Sequence, residues 1–373
     1  MKVVIVTENK VGDGHYKAAK ALEQAFQTWC GQEVETKMIG GLRAIHPVLE
    51  WFVVHIYLST IKLFPAVWGL TYKQSRHVPL IQKVGFALKL ISWLEKERPD
   101  LILCTHPACV PAFSYLKKHG KHTFDLGVVF TDFGFHPFAV SQYVDYYFVA
   151  HEGQKQQLMN QYAIDAGTIY NFGIPLGREY RASPKEAYIE TRKCVMEDKR
   201  SAHQRKRQVL LMGGGRGLGP IEHILHVFSA HSAFDLTVIC GKNEKLYRRL
   251  LQQDFKHVRV LGYVQNMKKW IERADVVISK PGGLTIAETL ACGKPLILIE
   301  PIPGQEEWNC QFVQNHRLGL YVEHLTDLPD VLSAMAVRPE RWIDNRQRLK
   351  VQKRFRTSAE NIVRTIMSYS KCN

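Results

Sequence analysis

VLLMGGGRGLGP, residues 209–220, sets a short apolar run against five glycines in the next seven positions. Glycine loses more backbone freedom on folding than any other residue, so this density is costly for a turn that only reverses the chain. Backbone amides exposed between a strand end and a helix start suit an anion. A phosphate-cradling loop over Gly213, Gly214, Gly215 and Gly217 is the better reading. The Lys-Ser/Thr pair of a P-loop is missing, which disfavours magnesium-assisted ATP chemistry. The order strand, glycine turn, helix recurs elsewhere. SKPGGLTIAE (279–288) follows the run Val276–Ile278, and Gly12-Asp13-Gly14-His15 follows Val3–Val6 and opens a helical pattern reaching Trp29. The second of these is not a GxGxxG, which weakens a dinucleotide reading.

Further β-branched or apolar runs lie at Leu101–Cys104, Gly127–Phe130, Tyr146–Val149, Leu236–Ile239, Val258–Leu261 and Leu296–Ile299. Runs apolar on both faces and separated by helical patterns predict parallel sheets covered on both sides. The series starts afresh near Val209, after a polar stretch containing Arg192, Lys193, Lys199, Arg200, Arg205, Lys206 and Arg207. The expected fold class is α/β, with two doubly wound domains facing each other across a cleft. Their bounds are 1–180 and 208–345, joined by a linker at 181–207 and followed by a basic helical tail at 346–373.

Composition agrees with two folded domains. The chain has 373 residues, 46% of them hydrophobic, and 50 Lys+Arg against 35 Asp+Glu give a net charge of +15. A disordered chain is excluded, and an anionic partner is expected: nucleic acid, an acidic membrane surface or a phosphorylated small molecule. The eight cysteines form no CxxC pair and several sit in apolar runs, so they read as reduced core thiols of a cytosolic protein. The opening MKVVIVTENK has too short an apolar run for a signal peptide. Trp51–Tyr72 is broken by His55, Lys62 and Pro65, so no transmembrane helix is expected.

Pro47–Lys96 interrupts the strand rhythm with two helical patterns, Val48–Phe64 and Leu80–Glu95, rich in Trp51, Phe52, Tyr57, Phe64, Trp68, Phe86 and Trp93. One reading is an extra helical pair packed on the sheet. The other is a partly exposed aromatic surface for an anionic bilayer, where Lys62, Lys73, Arg76, Lys83 and Lys89 would contribute about 1 kcal/mol each.

Two motifs in the second half have alternative readings. Thr285 and Glu288 have the spacing of a capping box. Alternatively, the amides of Gly282, Gly283, Leu284 and Thr285 bind a phosphate while Glu288 holds a ribose diol. In PIPGQEE (301–307), Gln305 and Glu306 follow the run Leu296–Ile299, at the strand end where open α/β sheets bind ligands. An amide beside a carboxylate suits sugar hydroxyls; otherwise these residues are the acidic first turn of the next helix.

Taken together, the motifs resemble the glycosyltransferases that make monogalactosyl- or glucosyl-diacylglycerol, relatives of the enzyme that adds N-acetylglucosamine to lipid-linked peptidoglycan precursors. The resemblance spans nearly the whole chain. It is densest in Gly262–Met267 (GYVQNM), SKPGGLTIAE and PIPGQE, with support from GGGRGLGP, CGKN at 240–243, GDGH, Phe130–Phe133 with His136, and Gly173-Ile174-Pro175. It implies a GT-B fold of two Rossmann-like domains, with an acceptor- and membrane-facing first domain, a UDP-sugar-binding second domain, and a last helix crossing back to the first.

By the same resemblance, the Gly213–Gly219 loop and Gly282–Thr285 hold the UDP diphosphate, and the Tyr263–Met267 segment, Tyr263, Val264 and Met267 included, holds the uracil. Glu288 takes the ribose, and Gln305 with Glu306 the sugar. His15 is the expected base, with Asp132 as a second catalytic residue and Gly12, Gly14 and His136 toward the acceptor. Such enzymes invert the anomeric centre without a bound metal, so no cofactor is expected. A carboxylate partner for His15 is open between Glu8 and Asp13. A lipid hydroxyl is a poor nucleophile near neutral pH, which is the reason for a histidine base.

The expected partners are thus a UDP-sugar and a lipid, diacylglycerol first, met at an anionic membrane surface by a cytoplasmic, peripherally bound protein. A UDP-sugar 2-epimerase or hydrolase could use the same fold and loops. A basic nucleic-acid- or membrane-binding protein is the reading from another class. No recognition-helix or RNA-binding signature supports it, and no nucleic acid is expected.

Overall fold

The computed structural model describes residues 1–370 apart from 9, 11–12, 75–79, 121–122, 182–205, 230, 232 and 338–340. Gly12, most of the linker 181–207 and the last residues of the tail therefore lie outside the described residues. The first half runs β1 (Lys2–Thr7), α1 (Asp13–Cys30), β2 (Glu35–Gly40), α2 (Gly41–Ile45), α3 (Pro47–Leu63), α4 (Pro65–Gln74), α5 (Leu80–Glu97), β3 (Leu101–Cys104), α6 (Val110–His119), β4 (Asp125–Val129), β5 (Tyr146–Val149), α7 (Glu152–Tyr162) and β6 (Ile169–Asn171). The second runs β7 (Arg207–Met212), α8 (Ile221–Ser229), β8 (Phe234–Ile239), α9 (Glu244–Leu251), β9 (Val258–Leu261), α10 (Met267–Arg273), β10 (Val276–Ser279), α11 (Gly283–Ala291), β11 (Leu296–Leu298), α12 (Glu307–Asn315), β12 (Gly319–Tyr321), α13 (Leu328–Val337) and α14 (Asn345–Ser370).

Each half builds one six-stranded sheet, in the order β2-β1-β3-β4-β5-β6 and β12-β11-β10-β7-β8-β9. All pairings are parallel; Val6 stands opposite Cys104 in the first sheet and Met212 opposite Ser279 in the second. Strand order reverses between β1 and β3, and again between β7 and β10. A doubly wound sheet opens a crevice at the carboxyl ends of the strands flanking such a reversal, because successive helices leave to opposite faces there. The Gly12–His15 turn follows β1, the Gly213–Gly219 loop follows β7 and the Lys280–Gly283 turn follows β10. All three glycine motifs therefore stand at switch points.

The strands predicted from apolar runs form the sheet interiors, together with β9 at one edge of the second sheet. Three strands were not predicted: β2, β6 and β12. The helical patterns Val48–Phe64 and Leu80–Glu95 are α3 and α5, and a further helix between them, α4, was not predicted.

Each sheet has its own core. Val4, Val6, Ile102 and Leu126 pack with Leu90 and Phe113 on one face of the first sheet, and Leu211, Val238 and Ile278 with Ile224 and Leu332 in the second. A further cluster joins the two halves, placing Phe133, Ala150, Ile174 and Leu176 of the first beside Leu210, Ile286, Leu290 and Phe312 of the second. Helix α14 seals this arrangement. Its Val351 and Phe355 enter the shared cluster, while Ile362, Val363 and Ile366 enter the first domain's other face beside Phe26 and Leu22. Among the described cysteines, Cys104, Cys109, Cys240, Cys292 and Cys310 are buried free thiols.

Candidate active site

His15 lies in the first turn of α1, the helix that follows β1. Its Nδ1 is 2.9 Å from the carbonyl oxygen of Thr105 and 2.7 Å from Thr131 Oγ1. A carbonyl can only accept, so Nδ1 carries the hydrogen and Nε2 is the basic nitrogen. The His106 ring stands edge-on to it at 4.6 Å between centroids. Burial holds the His15 pKa below the usual range; the nearby Asp132 carboxylate and the Thr105 carbonyl oppose this in part. His106 is pushed down further by burial, with His15 and His136 adding to the effect. The imidazoles of His15 and His106 are therefore neutral at neutral pH.

The carboxylate that acts on His15 is Asp132, not Glu8 or Asp13. Glu8 is buried away from the cleft, where its Oε1 accepts from Leu42 N at 2.6 Å, and burial raises its pKa to about 7. Asp13 faces the opposite domain, 2.9 Å from Lys242 Nζ and directly against Gly215.

Asp132 follows β4 and crosses the cleft. Its Oδ1 accepts from the backbone N–H of Gly283 at 3.2 Å and from Asn309 Nδ2 at 2.9 Å, and Gln305 also donates to its carboxylate. Burial raises its pKa, against the pull of His15 and these donors. The approach requires glycine: a Cβ on Gly283 would run into the Thr131 carbonyl and the Asp132 side chain. Asn309, fully buried on α12, also donates to the Pro281 carbonyl at 2.8 Å and accepts from Phe133 N at 2.7 Å. It thereby fastens the first domain's Asp132 loop to the second domain's glycine turn.

Helix α11 starts at Gly283 with Gly282 as its N-cap and no side-chain cap. Thr285 and Glu288 therefore do not form a capping box. Glu288 is buried, with Lys17 Nζ of α1 at 3.4 Å and a hydrogen bond from Tyr180. Gly14 faces Leu284 across the domain boundary, its notional Cβ 3.7 Å from the Leu284 Cβ. In the 213–219 loop, Gly217 holds φ +59°, and a side chain there would strike the Cys240 carbonyl. Tyr263 is exposed, with Lys242 Nζ 5.9 Å from its ring centroid. Val264 and Met267 pack against the shared cluster. Glu306 turns inward, accepting from Ile302 N at 2.7 Å, and burial pushes its pKa up to about 7. His136 caps its own turn, its Nδ1 accepting from Phe138 N at 3.2 Å.

The structure thus brings His15, Asp132, Gly283 and Gln305 together at one point. It sets Gly213–Gly217, Thr285, Glu288 and Tyr263 along the facing wall. Thr105, His106, Asn309 and Lys17 were missed from sequence, and Thr131 was read only as part of the Phe130–Phe133 motif. Thr105 and His106 had a signal, since they follow β3 at a switch point; Asn309 had none. Among the described residues no three His, Cys, Asp or Glu side chains group as a metal-ligating set.

Helices α3 and α4 expose apolar side chains. Trp51 and Phe52 are 55% and 56% exposed, Leu63 and Phe64, at the junction of the two helices, 64% and 61%, and Val67 and Leu70 51% and 61%. Single exposed apolar residues are ordinary, but so many on two successive helices make these helices a candidate interaction surface. No helix among the described residues is long and apolar enough to cross a membrane.

Two facing Rossmann-like domains with glycine-lined helix starts across the cleft define a GT-B protein. Acinetobacter baumannii MurG has this fold, with TM-score 0.59 and 12% identity over 98% of this chain and 99% of its own. The UDP-GlcNAc 2-epimerase from Neisseria meningitidis, solved bound to UDP-GlcNAc, shares it at TM-score 0.59 and 14% identity over 99% and 100%. Residues 15–176 match the family model of monogalactosyldiacylglycerol (MGDG) synthase, and residues 197–361 that of the glycosyltransferase family 28 C-terminal domain. A Bacillus cytotoxicus protein named processive diacylglycerol beta-glucosyltransferase is 29% identical over 350 residues, covering 90% of this chain and 85% of its own. The first half of the chain is thus similar to MGDG synthase and the second to the family 28 glycosyltransferases, and the protein is a glycosyltransferase.

Proposed function

We propose that the protein transfers a hexose from a UDP-sugar to a lipid hydroxyl, with diacylglycerol as acceptor, at the anionic surface of the cytoplasmic membrane. The observation that carries this reading is the position of His15, its Nδ1 held by the Thr105 carbonyl and its charge opposed by Asp132, whose carboxylate accepts from Gly283 at the start of α11. The names of the curated relatives support the acceptor, and the exposed apolar surface of α3 and α4 supports an enzyme that meets its substrate at a bilayer. The likeness to a 2-epimerase is one of fold alone.

In this scheme the sugar hydroxyls lie toward Gln305 and Glu306, the ribose at Glu288 and the uracil at Tyr263–Met267. As the acceptor oxygen attacks the anomeric carbon, His15 Nε2 takes its proton. The bond from that carbon to the diphosphate breaks, and UDP leaves with the electron pair. A single displacement inverts the centre. Amides of the Gly213–Gly217 loop and the α11 start face the growing charge, where pre-aligned donors stabilise it without reorganisation. The Asp132 carboxylate stabilises the imidazolium that forms. The scheme uses no bound metal.

The test is UDP release from a panel of UDP-sugars, with and without diacylglycerol in mixed micelles and with EDTA present. Release that requires lipid and ignores EDTA is expected, and names the sugar. Release without lipid would favour hydrolysis or epimerisation. His15→Ala should slow transfer by about 10²–10⁴-fold while UDP binding survives; near-full turnover would remove His15 as the base.

A further inference from the structure

We infer that Lys17 is a nucleotide-binding residue contributed by the first domain, its ammonium meeting the diphosphate of the bound UDP-sugar across the cleft. The inference rests on the donor-site reading above and adds to it a side chain from the opposite domain. Lys17 lies one helical turn beyond Asp13 on the same face of α1, so both side chains address the second domain. Asp13 lies against Gly215 of the phosphate loop, and Lys17 reaches Glu288. Lys17 therefore stands between the residue proposed for the ribose and the loop proposed for the phosphates, which are neighbours within a nucleoside diphosphate.

The existing contact leaves room for a better one. Lys17 Nζ is 3.4 Å from Glu288 Oε1, longer than the roughly 2.7–2.9 Å of a well-made bond between an ammonium and a carboxylate. Glu288 is the only hydrogen-bond acceptor of Lys17 among the described residues, and an ammonium has three donors. Its side chain keeps 41% of its surface exposed, toward the cleft. Glu288 is the main influence keeping Lys17 protonated, followed by Tyr263 from the same second-domain wall and by Asp13 on α1 itself. A ribose diol donates hydrogen bonds to Glu288, and the lysine, still charged, then has the diphosphate within reach. Because α1 belongs to the first domain, this bond exists only when the cleft is closed.

Binding of UDP and of uridine to wild type, Lys17→Met and Lys17→Arg separates the possibilities. Methionine keeps the apolar stem and removes the charge. K17M should weaken UDP roughly 10–100-fold, the value of a charged hydrogen bond. It should leave uridine binding unchanged and raise the KM for UDP-sugar without changing that for lipid. K17R should recover most of the UDP affinity. Equal loss of UDP and uridine would show that Lys17 acts only by holding Glu288, and unchanged UDP binding would show no role; either overturns the inference. Wild-type protein that binds neither ligand would overturn the donor-site reading and this inference with it.

Discussion

The chemistry converges on an imidazole whose hydrogen is placed by a backbone carbonyl and whose charge is answered by a carboxylate on another loop. Thr105 fixes the tautomer of His15, so Asp132 is free to act through space while it ties Gly283 and Asn309. This division predicts the behaviour of Asp132→Asn. The carboxylate raises the His15 pKa against burial, so its removal lowers that pKa. His15 must be neutral to accept a proton, and the acid limb of the kcat/KM profile should therefore move to lower pH. Turnover on the plateau should also fall, by part of the roughly 10²–10⁴-fold that a general base contributes, because the imidazolium that forms loses its countercharge. A pH–rate series on both proteins checks it; an unmoved acid limb would mean that His15 does not set it. The GDGH turn and the Thr131-Asp132 pair were both legible as motifs in the sequence. Their meeting was not, because β1 and β4 are brought together only by the order of strands in the sheet.

Helices α3 and α4 connect the apolar surface to the donor wall by two routes. On α3, buried Glu50 holds Lys10 Nζ at 2.7 Å, and the carbonyl of Lys10 accepts from Arg216 in the phosphate loop. On α4, Gly69 lies against the turn that carries Gln305, where an added Cβ would stand 2.7 Å from the Pro303 Cβ. Gly69→Val should push α4 off this turn at an overpacking cost of about 1–3 kcal/mol. The expected result is a fall of roughly tenfold or more in kcat/KM for the UDP-sugar, with circular dichroism unchanged. Wild-type kinetics would show that α4 does not brace the turn. The missed strands β2, β6 and β12 all lie at sheet edges, but the edge alone does not hide a strand, since β9 is an edge too and its run Val258–Leu261 was legible. β6 and β12 are three residues long, too short to show a run, and β2 opens on Glu35, Thr36 and Lys37, so its apolar part is brief.

The two domains are joined by a shared core as well as by chain connectivity. Phe355 of α14 is almost wholly buried, packs against Gly173 and stands 6.0 Å, centroid to centroid, from Phe133. Nearby, Ser358 Oγ donates to the Gly173 carbonyl at 2.7 Å and Arg356 Nε to the Ala291 carbonyl at 2.6 Å, one bond to each domain. Phe355→Ala should cost about 3–5 kcal/mol. Because the lost contacts belong to both domains, calorimetry should show them destabilised together. A shift confined to one transition would mean that the helix serves only one domain. The net charge of +15 favours approach to anionic surfaces at long range, in keeping with the proposed membrane encounter.

The amino-acid sequence by itself determined the two parallel sheets, the restart near Val209 and the glycine loops at the strand ends. Those features are local: apolar periodicity and glycine density act within a few residues and read directly as buried strands and tight turns. Only the tertiary structure decided that Asp132 rather than Glu8 or Asp13 answers His15, that Asn309 locks the cleft and that Lys17 faces Glu288. Each of these pairs residues from segments far apart in the chain. Their distance is set by strand order and domain closure, which no local pattern encodes.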